Sequence, residues 1–209
     1  MSTRQPRSTS VVHLYDAPVE IDDWWAVVER ARVAVGDRAG DRDDADDPLP
    51  DALTDELAKL GADDIVDWEI TFVQVTDSAY RHPLWHAAYL IEGGCGDDGF
   101  MDFRDGLILQ GRDVFTRAVD DPDTLAELPV VRAMADEEGG GWLGFQSIGT
   151  CVEEAYRRVR GETDSFHEAV DRALAGLSRP GEPAGPGWHW SDDDAFREHL
   201  PRLSALFQP

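Results

Sequence analysis

Apolar residues recur every three or four positions along most of this chain, the spacing of one face of an α-helix. Trp24, Val28, Ala31 and Val35 form the first such row, behind Asp22-Asp23, a pair suited to capping a helix start. Leu53, Leu57 and Leu60 form a shorter row that Gly61 ends. Ile65, Trp68, Phe72, Val75 and Ala79 then sustain the period from a start near Asp63-Asp64. The same stretch contains WEITFVQV, rich in strand formers, so a strand competes there; the length of the periodic row selects the helix.

Pro83 opens a further helix carrying Leu84, Ala87, Ala88 and Ile91, which Gly93-Gly94 closes, with Gly94 placed to take a positive φ. Asp97 is the expected N-cap of the next helix, whose inner face holds Phe100, Phe103 and Leu107. Gly111 breaks or kinks that helix before Val114, Phe115 and Ala118, and Asp120-Asp121-Pro122 reads as a turn. Helices are expected again over 151–160 and 165–177, the latter around Phe166, Val170 and Leu174. Ser191, with Asp194 three residues on, has the spacing of a cap for a last aromatic helix.

These elements predict an all-α protein, or nearly so, with one possible short strand at 11–15. The organisation that follows is an arm over 1–20, a helical domain over 21–130 and a helical extension over 131–177. A linker over 178–187 (SRPGEPAGPG) and a tail over 188–209, expected to dock back, complete the chain. The extension includes a glycine-rich connection, 137–149, readable as an insertion or a lid. The breaker-rich, charged stretch 36–50 reads as a loop.

Composition narrows the function more than the fold. Acidic residues number 43 and basic ones 19, for a formal charge of −24 in 209 residues. Such a field repels phosphate backbones and anionic lipid, so neither direct nucleic-acid binding nor membrane-surface binding is expected. Lys59 is the only lysine, which leaves arginine, the better carboxylate clamp, as nearly the whole positive complement. Two cysteines, Cys95 and Cys151, are too few for a disulfide scaffold, and VVHLY is too short for a secretory apolar region. The expected location is cytoplasmic.

The chemistry-bearing residues concentrate between Tyr80 and Phe115. His82 and His86 are four apart, a metal-compatible spacing with Glu92, Cys95 and Asp97 nearby, yet a helix start at Pro83 separates the two. Cys95 precedes a helix N-terminus, which lowers a thiol pKa, while Asp97 and Asp98 oppose the thiolate; a packed cysteine is the expectation. Asp97-Asp98 resembles an acid–base or Mg²⁺-binding pair, but capping and helix-dipole roles account for both, with Arg104 and Arg112 as ion-pair partners. Trp85 and Tyr89 make an aromatic stripe with Phe100 and Phe103, either core or the wall of a pocket. Trp85, Tyr89, Asp97, Asp98, Arg104 and Arg112 are therefore the candidate pocket or network. No catalytic residue, cofactor or metal is assigned.

The run Tyr80-Arg81, Leu84-Trp85, Ala87-Ala88-Tyr89, Gly93-Gly94-Cys95, Asp97-Asp98, Phe100, Phe103-Arg104 and Leu107-Ile108, with Gln110-Gly111-Arg112, resembles the bacterial DUF4240 family. The Trp24-Trp25 helix and the turn Asp121-Pro122-Asp123 with Leu125 fit the same pattern, which spans about residues 22–128 and echoes faintly in 201–207. His82, Pro83 and His86 depart from it. The resemblance implies no established activity. It does imply kinship with domains found beside a WGR-type module in proteins labelled regulators of molybdenum metabolism. The expected function is a non-catalytic acidic module, of adaptor or immunity type, that regulates or binds a basic protein partner. The alternative is a small-molecule enzyme or sensor with a pocket between the Pro83 and Asp97 helices, using Trp85, Asp98 and Arg104.

Overall fold

The computed structural model describes residues 17–40, 47–136, 142–146 and 148–208, and everything said of the structure concerns these. The strand expected at 11–15 and the Gly139–Gly141 part of the lid reading lie outside them. The fold is all-α. The helices are α1 Ile21–Val35, α2 Leu49–Leu57, α3 Ala62–Ser78, α4 His82–Ile91, α5 Asp97–Leu109, α6 Arg112–Asp120 and α7 Pro129–Ala135. They continue as α8 Ile148–Arg160, α9 Asp164–Leu174, α10 Asp193–His199 and α11 Pro201–Phe207, with 3-10 turns at Gly36–Gly40 and Pro122–Glu127. The described residues contain one isolated parallel bridge, between Arg81 and Ala184. No helix among them is long and apolar enough to cross a membrane.

The stretch that reads as helix or strand is α3, and its periodic row is what buries it. Ile65, Trp68, Phe72 and Val75 all lie in the core. Trp24 of α1 stacks on Trp68 with ring centroids 4.7 Å apart, and its Nε1 donates to the Trp68 carbonyl at 3.0 Å. Trp25 packs the opposite way, against Phe115 of α6 at 5.3 Å. Each such ring removes some 2–3 kcal/mol worth of apolar surface from water, so this tryptophan pair holds α1, α3 and α6 to one core. Helix α2 lies between α1 and α8, and α8 and α9 cover the other side of α3.

Gly93 and Gly94, with φ of 66° and 129°, end α4 in the left-handed region where a side chain is resisted. Gly106 is required for a different reason. Residues 142–146 cross α5 as an extended strap, with Phe145 N–H donating to the Asp102 carbonyl at 2.8 Å and Leu143 fully buried. A Cβ on Gly106 would lie 1.8 Å from the Leu143 carbonyl oxygen.

The helix starts differ from the sequence reading at three caps, by one or two residues each. Glu20, not Asp22-Asp23, is the cap residue of α1, and those two acids sit in its first turn. Gly96 takes the extended backbone at the start of α5, so Asp97 is already inside the helix and its side chain caps nothing. Asp97 and Asp98 act on α5 only through its dipole. In the tail, Asp192 Oδ1 accepts the Ala195 N–H at 3.1 Å, while Ser191 Oγ pairs with His189 Nδ1 at 2.9 Å. Helix α4 begins at His82, so Pro83 sits in its first turn and both histidines belong to the same helix.

The tail docks by aromatic and polar contacts together. His86 lies between Trp188 and Trp190, 4.0 and 4.3 Å from their ring centroids, and Phe196 is fully buried beside them. Asp123, in the 3-10 turn, accepts the N–H groups of Arg202 and Leu203, the free donors at the start of α11.

Candidate functional site

Between the end of α3, the start of α4 and the start of α5 lies an open cleft of about 190 Å³. Its floor is built by stacking: the Trp85 ring lies on Phe100 at 4.9 Å with 7° between planes, and Trp85 Nε1 donates to the Cys95 carbonyl at 2.9 Å. That bond fixes the indole across the α4–α5 connection. Arg104 comes from one turn further along α5 and lies buried, with its guanidinium 5.1 Å from the Tyr80 ring centroid and 5.0 Å from that of Phe100. Its Nε donates to the Phe100 carbonyl at 3.2 Å and Nη1 to the Thr76 carbonyl at 3.1 Å. Burial pushes its pKa below the ordinary arginine value, with Asp105 and Asp77 acting in the opposite sense.

Of the six residues singled out in the sequence, Trp85, Asp97 and Arg104 meet at this cleft. Tyr89, one turn further along α4, lies outside the lining, 5.0 Å from Trp190 and 6.2 Å from Phe196. Arg112 is tied to α1: its Nη1 lies 2.6 Å from Asp22 Oδ1, and its N–H donates to Glu29 Oε1 at 2.9 Å. Asp98 is exposed on the first turn of α5, outside the lining. The ion pairs expected from Arg104 and Arg112 to Asp97 and Asp98 are replaced by these bonds, because each arginine meets closer acceptors in the folded chain.

Two charged lining residues escaped the sequence reading. Asp77, at the end of α3, receives Nε and Nη2 of Arg179 at 2.8 Å each, a side-on fork that raises the Arg179 pKa. Arg179 was legible only as the single basic residue in a proline- and glycine-rich segment.

A second feature runs along α5 beneath the strap. Glu69 of α3 and Asp105 of α5 are both pushed up to about 7, chiefly by burial; the charge of Asp105 adds to the effect on Glu69. One Glu69 oxygen has no partner, whereas Asp105 accepts the Ile148 N–H at 3.3 Å. Asp102 is raised by burial and by Asp98, and Glu92 by burial and Asp102, against a hydrogen bond from Trp142. Cys95, beside Glu92 and Asp102, is pushed up to about 12, first by burial and then by those two acids, which disfavours its thiolate. The sequence signal for Glu69 was a lone acid within WEITFVQV. Among the described residues no group of three or more His, Cys, Asp or Glu is placed to hold a metal ion. His86 spends both ring nitrogens on carbonyls, lying 2.6 Å from that of His82 and 2.9 Å from that of Trp188.

A family model described as a protein of unknown function, DUF4240, matches residues 20–158. The chain belongs to the DUF4240 family. No curated protein and no solved structure matches it. The DUF4240 span holds Asp77, Trp85, Asp97 and Arg104 as well as the whole acidic row, while Arg179 enters the cleft from beyond it. The cleft is thus a surface of the DUF4240 region closed on one side by the segment that follows.

Proposed function

We propose that this DUF4240 protein is a non-catalytic regulatory or interaction module of the bacterial cytoplasm, of adaptor or immunity type, that binds a basic protein partner. The observation that carries the reading is how its few bases are used. Arg30, Arg112, Arg117, Arg158, Arg179, Arg197 and Arg202 each lie in an ion pair with an acid of the same chain. The excess that makes up the −24 charge is therefore left to the surface, a field that steers cationic partners and repels nucleic acid and anionic lipid.

The test is affinity purification from native lysate at low and at about 0.5 M salt, where screening shortens the reach of exposed charge to a few ångströms. Basic proteins held at low salt and released at high salt are the expected result. Recovery of no partner, or only of acidic ones insensitive to salt, overturns the proposal. A second reading, a small-molecule enzyme or sensor, is favoured by the cleft itself, where Trp85 offers an aromatic floor beside Asp97 and Arg104. Extraction of a stoichiometric metabolite from the purified protein would put that reading first.

A further inference from the structure

The Asp77 carboxylate is 15% exposed, at the end of a core helix, and its ion-pair partner comes from 102 positions away. Arg179 is 54% exposed and is carried by residues 178–187, which no helix supports. That segment does more than supply a charge. It runs alongside the Tyr80–His82 backbone, with Ala184 N–H donating to the Tyr80 carbonyl and His82 N–H to the Ala184 carbonyl, both at 2.9 Å. A non-helical segment that adds backbone bonds to one edge and seats one side chain in a pocket is held as a peptide ligand is held. The pocket suits a guanidinium: Asp77 takes its two parallel N–H groups, and the Trp85 indole lies in the same lining. Asp97 lines it as a second carboxylate and has no hydrogen-bond or ion-pair partner among the described residues.

Building on the basic-partner reading, we infer that this cleft is where the partner docks. It takes an arginine presented on a non-helical peptide segment, and the chain's own residues 178–187 are a stand-in ligand held in the same place. The DUF4240 match supplies the receptor half, Asp77, Tyr80, Trp85 and Asp97, and stops at residue 158, short of the stand-in. Tethering gives the stand-in an effective concentration in the millimolar range, so a partner displaces it by adding contacts from elsewhere on its own surface. Occupation of Asp77 by the partner's arginine then frees the 178–187 segment, coupling binding to release of the chain that leads into the tail.

The test uses full-length protein and a fluorescent peptide of residues 178–187 (SRPGEPAGPG), with its arginine-to-alanine version as control. Arg179→Gln empties the pocket and should bind the peptide at least about tenfold more tightly than wild type. The gain should vanish when Asp77→Asn is added or when the control peptide is used. Equal binding by wild type and Arg179→Gln, or a gain that survives Asp77→Asn, overturns the inference. Should Arg179→Gln prove unfolded by circular dichroism, hydrogen exchange on wild type decides instead. Excess peptide should expose the chain's own Ala184 amide, displaced from the Tyr80 carbonyl, while the His82 amide stays protected by the peptide's carbonyl; unchanged protection of Ala184 overturns the inference. A polyarginine peptide separates this idea from the broader one. Salt-sensitive binding that is indifferent to Asp77→Asn sinks the cleft and upholds the acidic-surface reading, whereas no binding at all sinks both.

Discussion

The Asp123 carboxylate accepts the backbone N–H of Leu203 at 2.9 Å, across 80 positions of sequence. It also accepts the Arg202 N–H at 3.0 Å and Arg202 Nε at 2.9 Å, so one buried side chain caps α11 and pairs with its first charged residue. Pro201 precedes these donors and has none of its own, which leaves Arg202 and Leu203 as the helix-start groups that need an acceptor.

Asp123→Ala should therefore cost about 2–4 kcal/mol, a lost cap plus unsatisfied buried donors. Asp123→Asn should cost less, because its carbonyl oxygen still caps. Urea denaturation measures both. Hydrogen exchange should place the excess opening in α11; uniform loss of protection would mean that the tail is not held by this contact.

Gly106→Ala should destabilise by about 3 kcal/mol or more. The added Cβ meets backbone, the Leu143 carbonyl, which cannot swing aside as a long side chain would. Gly99→Ala, where the nearest contact is Cys95 Sγ at an ordinary 3.4 Å, serves as the tolerated comparison. Thermal melts that coincide for Gly106→Ala and wild type would show the strap to be seated elsewhere.

Asp97→Ala and Asp97→Ser should behave alike, each costing only a few tenths of a kcal/mol through the helix dipole of α5. The cap position belongs to Gly96, and a serine at 97, already inside the helix, is not placed as a cap residue is to accept the first-turn N–H groups. Denaturation midpoints separated by more than about 1 kcal/mol, with serine the more stable, would return Asp97 to the cap.

Glu69→Gln should change stability in a pH-dependent way. Burial raises the Glu69 pKa to about 7 in the folded chain, from an ordinary value of 4.5. Between those values the folded state holds a proton that the unfolded state has lost, so stability falls as pH rises through the window and levels off above it. The neutral glutamine escapes this loss. The variant should match wild type near pH 5 and exceed it by about 1–3 kcal/mol at pH 8. Equal stability at both pH values would mean that Glu69 is solvated.

The helices were legible where the period was long. The Ile65, Trp68, Phe72 and Val75 row identified α3 against its strand-forming composition, because burying one stripe needs the three-four spacing throughout. Caps were less legible. Gly96, Glu20 and Asp192 hold those positions because the chain turns helical one or two residues away from Asp97, Asp22 and Ser191, which looked suited to the task. A cap is decided by backbone geometry at entry, which composition does not specify.

The candidate site divides along the same line. Sequence alone determined the acidic excess, the near-total reliance on arginine, the aromatic row of α4 and α5 and the glycine stop between them, because these depend on residue type and local spacing. Tertiary structure decided who meets whom. It sent Arg104 to the carbonyls of Phe100 and Thr76, Arg112 to Asp22, and Arg179 to Asp77. It also set Glu69 near Asp105 and laid a strap across α5 that only a glycine at 106 lets pass. Such pairings follow from the path of the chain through space, and a separation of 80 or 102 positions leaves no periodic trace in the sequence by which to find them.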